Sequence, residues 1–293
     1  MIGLYIIGFV VIVAAIYVIA EIWKETHEFK VVNYQIQSNK LKKQSRPLKV
    51  VFLSDLHNHE YGEKNELLLE AIRNGKPDYI LIGGDMLIGR KKHYDFQEAL
   101  EFVKQLPQIA PVYYANGNHE ERMHLLPEYY GESYVEYKSA LEASGINWLE
   151  NDSVILPWEQ EEICVYGVEL PLECYMRKEK HYLEEAELVE QIGTADASNF
   201  NLLMAHHPSF APVYEKWGAD LTVSGHMHGG IARLPILGGV LSPQFGIFPK
   251  YSGGFYEVGA SKIVVSKGLG THTVHIRFWN PAELIFLEIN GER

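Results

Sequence analysis

Cysteine is scarce in this chain, which has only Cys164 and Cys174 among its 293 residues. Two thiols cannot form the disulfide framework of a small secreted domain, and no Cys-x-x-Cys pair is present to hold a metal. The sequence leaves open whether the two cysteines pair. It therefore also leaves open the redox compartment in which the protein works.

Basic residues are outnumbered by acidic ones, 26 Lys and Arg against 38 Asp and Glu, which gives a formal net charge of −12. Proteins that bind nucleic acids present a basic face, so this charge argues against broad nucleic-acid binding. The charge does not exclude a substrate that carries phosphate, because a bound metal cation can invert the local potential.

Internal repeats and low-complexity tracts are also absent, while apolar residues make up 47 % of the chain. That fraction is ordinary for a folded protein and supplies enough apolar side chains for a sizeable core. A chain of this length is expected to form one large domain or two small ones.

The segment from Ile2 to Ala20 contains no charged residue and is long enough to cross a bilayer as a helix. No Lys or Arg precedes it, so it lacks the positive segment with which a cleaved signal peptide begins. We interpret residues 1–22 as an uncleaved, single-pass membrane anchor, with Trp23 at the membrane interface. A cleaved signal peptide and a buried core helix are the alternatives.

Residues 23–46 form a juxtamembrane segment between this anchor and a catalytic body that is predicted to span residues 47–293. Residues 31–37 alternate in polarity, which predicts an edge strand, and residues 39–46 form a polar, basic linker. The basic residues that follow the anchor favour a cytoplasmic body, but several lie too far from the membrane to fix its side.

The body is expected to have an α/β fold, because apolar runs alternate with helical patterns up to about residue 150. Three helices are predicted from the helical spacing of apolar side chains, at residues 63–74, 95–106 and 133–143. Three closing strands are predicted at residues 262–266, 273–278 and 283–289. Residues 233–260 are rich in Gly, Pro and aromatic residues and are predicted to form a long functional loop.

Five apolar runs each lead into Asp, Asn or His, and this repetition is the most informative feature of the sequence. A buried strand fixes its backbone while the loop beyond it stays open, so a strand end suits a reactive side chain. The polar residues that follow the five runs are Asp55 and His57, Asp85, Asn118 and His119, His206, and His226 and His228.

These side chains offer carboxylate oxygens, imidazole nitrogens and one amide oxygen. That mixture suits Mn, Fe, Co or Zn better than Ca or Mg, which prefer all-oxygen ligands. The set is too large for one tetrahedral site, but it fits two metals that share one carboxylate. Gly84, Gly117 and Gly225 precede the ligands and are expected to let the backbone turn sharply at the strand ends.

The order and spacing of these blocks resemble the five-block signature of the calcineurin-like metallophosphoesterases. The blocks are Asp55-x-His57, Gly84-Asp85, Gly117-Asn118-His119-Glu120, His206 and Gly225-His226-x-His228. Gly229-Gly230 and the segment from Ser266 to Gly270 resemble a membrane-associated, YkuE-like branch of that family. The resemblance implies a four-layer sandwich of two mixed β-sheets flanked by helices.

The resemblance also implies a role for each matching position. Asp55, His57 and His228 would hold one metal, Asn118, His206 and His226 would hold the other, and Asp85 would bridge them. His119 would lie over the substrate, either as the acid that protonates the leaving oxygen or as a donor to a phosphoryl oxygen. Arg233 is a candidate phosphate-binding cation, with an ordinary salt bridge as the alternative.

The resulting hypothesis is a membrane-anchored, dinuclear phosphoester hydrolase in which a metal-bound hydroxide attacks phosphorus. Its substrate would be a phosphomonoester, phosphodiester or pyrophosphate close to the membrane, with a lipid-linked compound as one candidate. One alternative is an inactive metal-binding scaffold of the same fold, which would usually have lost a ligand or the acid. Another is a nuclease, which would need a local basic groove.

Overall fold

The computed structural model describes residues 1–90, 93–176, 182–271 and 274–292. The strands in chain order are β1 (Phe29–Ser38), β2 (Leu48–Leu53), β3 (Tyr79–Ile82), β4 (Ile88–Arg90), β5 (His93–Asp95), β6 (Val112–Tyr114), β7 (Ile146–Trp148), β8 (Asp152–Trp158), β9 (Glu161–Val168), β10 (Phe200–Ala205), β11 (Leu221–Ser224), β12 (Arg233–Leu234), β13 (Gly238–Gly239), β14 (Gly254–Val258), β15 (Ser261–Val265) and β16 (Ala282–Gly291). The α-helices are α1 (Ile2–His27), α2 (Glu66–Gly75), α3 (Gln97–Val103), α4 (Asn118–Leu125), α5 (Pro127–Tyr130), α6 (Ser133–Ala143), α7 (Glu185–Ile192) and α8 (Ala211–Trp217).

Two six-stranded sheets form the body. One has the strand order β1-β16-β2-β3-β6-β7, and the other has the order β14-β15-β11-β10-β9-β8. The central strands of each sheet run parallel to one another. Strand β16 runs antiparallel to β2, and β8 and β14 run antiparallel to their neighbours at the two edges of the second sheet. Both sheets are therefore mixed, as predicted.

Strand β2 illustrates how the layers pack. Val50 and Phe52 point into a core that the two sheets share, while Val51 and Leu53 point into a core beneath helices. Because successive side chains of a strand face opposite sides, a strand that is buried on both faces needs an unbroken apolar run. A third core packs α7 and α8 on the outer face of the second sheet. These layers confirm the predicted sandwich of two mixed sheets flanked by helices.

Two predictions in the C-terminal part of the chain are wrong. The loop predicted at residues 233–260 ends earlier, because β14 pairs with β15. In the segment predicted as a strand at 273–278, Thr273 lies outside the described residues, and residues 274–278 contain only an isolated bridge at Phe278. Arg277 of this segment instead uses its guanidinium to donate to the Lys267 and Gly268 carbonyls.

The helix predicted at residues 95–106 is also shorter than expected, because Asp95 belongs to the two-stranded ribbon of β4 and β5 and α3 begins at Gln97. The helix predicted at residues 133–143 coincides with α6. The two cysteines, Cys164 and Cys174, are buried and unpaired.

The N-terminal segment continues directly into the first sheet. Strand β1 forms the edge of that sheet, and ten of its residues pair in parallel with β16. Helix α1 is exposed along its apolar part and is long and apolar enough to cross a membrane, features that a signal sequence would share. The end of α1 contacts the body, where the Glu25 carboxylate accepts a hydrogen bond from the Asn280 N–H at 2.6 Å.

Candidate metal centre

The loops that follow four central strands meet at one place. The Asp55 N–H donates to the Gly84 carbonyl at 3.0 Å, which joins the loops after β2 and β3. The His226 N–H donates to Asp55 Oδ1 at 2.9 Å, which joins the loop after β11 of the second sheet to the same point. The Gly225 N–H donates to the His206 carbonyl at 3.0 Å, which joins the loop after β10 to the loop after β11. The site thus spans the ends of both sheets.

The predicted ligands form two buried groups whose potential ligand atoms lie within 4.8 Å of one another. The groups are Asp55, His57 and His228, and Asp85, His206 and His226. Asp85 lies between them, because its Oδ2 is 3.2 Å from His206 Nε2 and 3.8 Å from His57 Nε2. The structure therefore brings the His and Asp residues of the prediction together in positions from which they can hold metal ions.

Backbone carbonyls orient three of these imidazoles. Nδ1 of His57 faces the Leu87 carbonyl at 3.2 Å, Nδ1 of His206 faces that of Gly83 at 2.6 Å, and Nδ1 of His228 faces that of Gly270 at 3.3 Å. A carbonyl oxygen only accepts hydrogen bonds, so each of these Nδ1 atoms carries a proton. Such outer contacts fix the ring and turn Nε2 towards the position of a metal.

Two observations indicate that these residues fit metal cations. The Nε2 atoms of His57 and His228 lie 3.1 Å apart, and in the tautomer that their Nδ1 contacts select, both present lone pairs. Two lone pairs at this distance repel each other unless a cation or a proton lies between them. The buried Asn118 Oδ1 has no hydrogen-bond partner among the described residues, and a buried acceptor normally has one.

The charge states of the histidines suit the same chemistry. Burial lowers the pKa of His57 to about 4, and burial together with His207 holds the pKa of His226 well below its usual value, so both rings are neutral. Burial also acts to lower the pKa of His206, but the Asp85 carboxylate outweighs it and raises that pKa to about 10. A cation would replace this proton, because metal ligands must be deprotonated.

The backbone is strained at most of the predicted ligands. Five of the seven have positive φ angles: Asp55 at 54°, His57 at 48°, Asp85 at 54°, His226 at 67° and His228 at 47°. Residues other than glycine rarely adopt such angles, and each one costs of order 1–3 kcal/mol. Strain of this kind concentrates at functional sites, where the surrounding structure holds it in place.

The glycines that precede the ligands act in two ways. Gly84 turns the backbone as predicted, with φ at +83°. Gly117 and Gly225 instead leave room for carboxylates, and for them the predicted turning role is wrong. A Cβ atom on Gly225 would lie 2.2 Å from Asp55 Oδ2, and one on Gly117 would lie 2.3 Å from Asp85 Oδ1.

We expect Gly225→Ala to displace the Asp55 carboxylate and to lower both metal content and activity. A loss of activity of about 10–100-fold is the usual result when groups that orient metal ligands are disturbed. Elemental analysis and turnover are measured on the same sample. Gly8→Ala is the control, because a methyl group added there meets no atom within 4 Å. Full metal occupancy in Gly225→Ala would contradict the prediction.

His119 lies in the first turn of α4, directly after Asn118. Its Nδ1 accepts a hydrogen bond from the Gly89 N–H at 2.8 Å, and its own backbone N–H donates to Asp85 Oδ1 at 2.8 Å. Its ring packs edge-on against His57, with 4.8 Å between the centroids. Because consecutive side chains of a helix diverge by about 100°, His119 and Asn118 point in different directions.

Glu120 is a structural residue of the site that sequence reasoning left without a role. Its buried carboxylate accepts hydrogen bonds from the backbone N–H groups of Asp85 at 2.8 Å, Met86 at 2.9 Å and Gly117 at 3.1 Å. The hydroxyl of Tyr114 donates to it at 2.7 Å. Glu120 therefore ties the loop of Asp85 to the loop of Asn118, and its place in the Asn-His-Glu block was the available signal.

Gln244 is a second residue that sequence reasoning missed. Its Nε2 lies 2.6 Å from His226 Nε2 and 2.9 Å from His207 Nε2. Gln244 comes from the long loop between β13 and β14, where no periodic pattern marks a residue as inward-facing. His207 itself accepts a hydrogen bond from the Ser209 N–H at 3.3 Å, as a cap on the turn that follows.

Arg233 lies on β12, and its guanidinium is engaged with the backbone of neighbouring loops. It donates to the Gly229 carbonyl at 3.1 Å and to Ser252 Oγ at 3.3 Å. These contacts tie the segment after His228 to the loop before β14. Phosphate binding by Arg233 stays a prediction.

Comparison with known proteins places this arrangement in a family. Residues 48–230 match the calcineurin-like phosphoesterase family. The chain is 28 % identical over 252 residues to the uncharacterized protein YpbG of Bacillus subtilis, covering 84 % of this chain and 82 % of that protein. It is 24 % identical over 262 residues to the uncharacterized metallophosphoesterase YkuE of B. subtilis, with coverages of 89 % and 85 %. It is 27 % identical over 240 residues to the phosphodiesterase YaeI of Escherichia coli, with 78 % of each chain covered.

The matched region runs from the start of β2 to the turn after β11, so it contains both buried groups of His and Asp residues. It also covers more than half of the chain. The relatives match over most of their own length, which extends the similarity beyond the metal centre to the remainder of the body. The chain thus belongs to the calcineurin-like phosphoesterase family and is a metal-dependent phosphoesterase.

Proposed function

We propose that this protein is a membrane-anchored phosphoesterase whose substrate carries an apolar group. Two divalent metals would bind, one to Asp55, His57 and His228 and the other to Asn118, His206 and His226, with Asp85 between them. Mn, Fe, Co or Zn suits this mixture of nitrogen and oxygen ligands. The observation that supports an apolar substrate is a groove beside the second group of ligands.

This groove has a volume of about 540 Å³ and is lined mainly by apolar side chains, among them Leu183, Phe210 and Val213. Small-molecule sites commonly have volumes of about 300–1,000 Å³ and apolar walls with a few polar groups. Gln244 is one of the polar groups of the groove, and it also contacts His226 at 2.6 Å. A phosphoester held at the metal ligands would therefore place its organic part among apolar side chains.

Divalent cations at this site would supply the Lewis acidity that polarises a phosphoryl oxygen and lowers the pKa of a water. The chain's own residues hold the reacting groups in position. Glu120 fixes the loops that carry Asp85 and Asn118. Because the Gly89 N–H donates to Nδ1 of His119, the neutral imidazole carries its proton on Nε2. We assign this Nε2–H as the donor to a phosphoryl oxygen of the substrate.

The acidic residues near the site disfavour the nuclease alternative. Burial, with the nearby Glu169 and Glu173 carboxylates, raises the pKa of Glu121 on α4 to about 8. Glu150 and Glu169 both accept hydrogen bonds from the Asn116 side chain. Nucleic-acid binding depends on cationic side chains that neutralise phosphates, and this cluster of carboxyl groups supplies none. The inactive-scaffold alternative has no support in the site, where every predicted ligand and His119 are present.

A chain-length series tests the proposed substrate class. The metal-loaded full chain is assayed with aryl phosphodiesters that carry ethyl, butyl or octyl groups. We expect KM to fall with chain length, because each buried methylene contributes about 0.8 kcal/mol. Val213→Trp, which fills the groove, should raise KM for the octyl ester by about tenfold or more and leave the ethyl ester unchanged.

Val189→Trp on α7 is the matched control, since Val189 is 37 % exposed and does not line the groove. It should behave as the unmodified protein with every ester. Equal KM values for all three chain lengths in the unmodified protein would show that the groove does not bind the substrate.

A further inference from the structure

The hairpin of β12 and β13 exposes an apolar tip. Ile236 is fully exposed and Leu237 is 61 % exposed, with Pro235 preceding them. Single exposed apolar residues are common on protein surfaces, but a contiguous exposed group indicates an interaction surface.

Trp279 connects this tip to α1. It borders the same surface depression as Leu234 and Ile236. Its indole Nε1–H donates a hydrogen bond to the hydroxyl of Tyr17 at 3.0 Å, and Tyr17 belongs to the apolar part of α1. The hairpin tip therefore lies beside the segment that would span the bilayer.

The position of Tyr17 along α1 indicates the depth of this contact. The apolar segment from Ile2 to Ala20 is about 28 Å long at 1.5 Å per residue, close to the thickness of the hydrocarbon core of a bilayer. Tyr17 is three residues, about 4.5 Å, from the Ala20 end of that segment. Tyr and Trp side chains concentrate at this level of a membrane, because their rings are apolar and their polar atoms need a hydrated partner.

We propose that residues 234–237 and Trp279 enter the bilayer beside α1 and form a second membrane contact of the body. The inference rests on the membrane anchoring in the proposed function. Together with the Glu25–Asn280 contact at the end of α1, a second contact would hold the body at one height and orientation over the lipid. A second copy of the chain is the competing occupant of this surface.

Lipid quenching tests the contact in the full chain. A fluorophore is attached to a single introduced cysteine, Ile236→Cys, and the protein is placed in phosphatidylcholine and phosphatidylglycerol nanodiscs with or without doxyl-labelled lipid. Val10→Cys reports on α1, and Ile155→Cys, which is 56 % exposed on β8, is the matched surface control. The two native cysteines are buried, and labelling of the protein without an introduced cysteine measures their background reaction. We expect quenching at positions 10 and 236 and none at 155.

Each other outcome counts against the inference in a distinguishable way. Quenching at position 10 without quenching at 236 would leave the anchor in place and exclude the second contact. No quenching at position 10 would reject the anchor and the contact together. If the fluorescence emission of the probe at position 236 is shifted to the blue but doxyl-labelled lipid does not quench it, another protein surface covers the tip.

A double variant that places two charges at the hairpin tip tests whether the second membrane contact affects turnover. Ile236→Asp with Leu237→Asp should reduce turnover of a phosphoester embedded in the bilayer by about tenfold, because membrane binding scales with buried apolar area. Turnover of a soluble chromogenic ester should not change. Trp279 is left intact, because Asn280 beside it donates to the His228 carbonyl at 2.7 Å, and a change there would disturb the metal centre. Equal turnover of the embedded ester in Ile155→Asp and in the double variant would overturn the inference.

Discussion

Replacing Asp85 with alanine is expected to abolish activity and to remove most of the bound metal. Its Oδ2 lies 3.2 Å from His206 Nε2 and 3.8 Å from His57 Nε2, so its carboxylate faces both groups of ligands. Its Oδ1 also accepts the His119 N–H at 2.8 Å. Loss of a residue that only orients a metal ligand costs about 10–100-fold, so loss of the shared carboxylate should exceed that range.

Asp85→Asn separates charge from structure, because an amide oxygen can still accept the His119 N–H but carries no charge. We expect it to keep the fold and to lose metal as Asp85→Ala does. Asp152→Ala, at an exposed position on β8, is the control. Metal content, the circular dichroism spectrum and turnover are measured on the same preparations. An Asp85→Ala protein with full metal content and normal turnover would show that the carboxylate does not bridge the metals.

The metal centre was the most predictable part of this protein, for a physical reason. Strands β2, β3, β10 and β11 are buried on both faces, so their sequences are continuous apolar runs that stop where the sheet stops. Asp, Asn and His at those points cannot belong to the core, which makes them conspicuous without any structural information. The same runs predicted the α/β fold, whereas the two mixed sheets were expected only from the family resemblance.

Helix α4 could not be predicted in the same way. Its sequence from Asn118 to Leu125 has no apolar stripe, because Asn118, His119, Glu120 and Glu121 are buried against the metal centre rather than against an apolar core. Helical periodicity detects only helices that bury apolar faces. Because α4 buries polar side chains at the metal centre, its sequence carries no apolar periodicity from which a helix could be predicted.

Contacts between distant parts of the chain could not be predicted from the sequence either. Gln244 reaches His226 only because the loop between β13 and β14 folds back over the site, and nothing in the local sequence specifies that path. The close approach of Gly225 to the Asp55 carboxylate belongs to the same class, since it depends on the packing of one sheet against the other. Positive φ angles at Asp55 and Asp85 likewise follow from the assembled loops.

Replacing His119 with alanine or asparagine is expected to retain the metals and to slow turnover by roughly 10²–10³, the cost of removing one donor to a developing negative charge. The loss should be the same for a nitrophenyl ester and for an alkyl ester. The Gly89 N–H donates to Nδ1 of His119 at 2.8 Å, which keeps the ring neutral with its proton on Nε2. Giving up that proton would leave an imidazolate, a far stronger base than imidazole, so His119 can donate a hydrogen bond but is poorly suited to transfer the proton.

Comparison of the two leaving groups decides between the two roles that the sequence left open. An acid that protonates the leaving oxygen matters most for an alkoxide and little for nitrophenolate, which is already a weak base. A much larger loss with the alkyl ester would therefore show that His119 transfers a proton and that the Gly89 hydrogen bond breaks during the reaction. Loss of metal in the variant would show that His119 is a ligand. Leu125→Ala, at a 53 % exposed position on the same helix, controls for changes in α4 itself and should retain full activity with both esters.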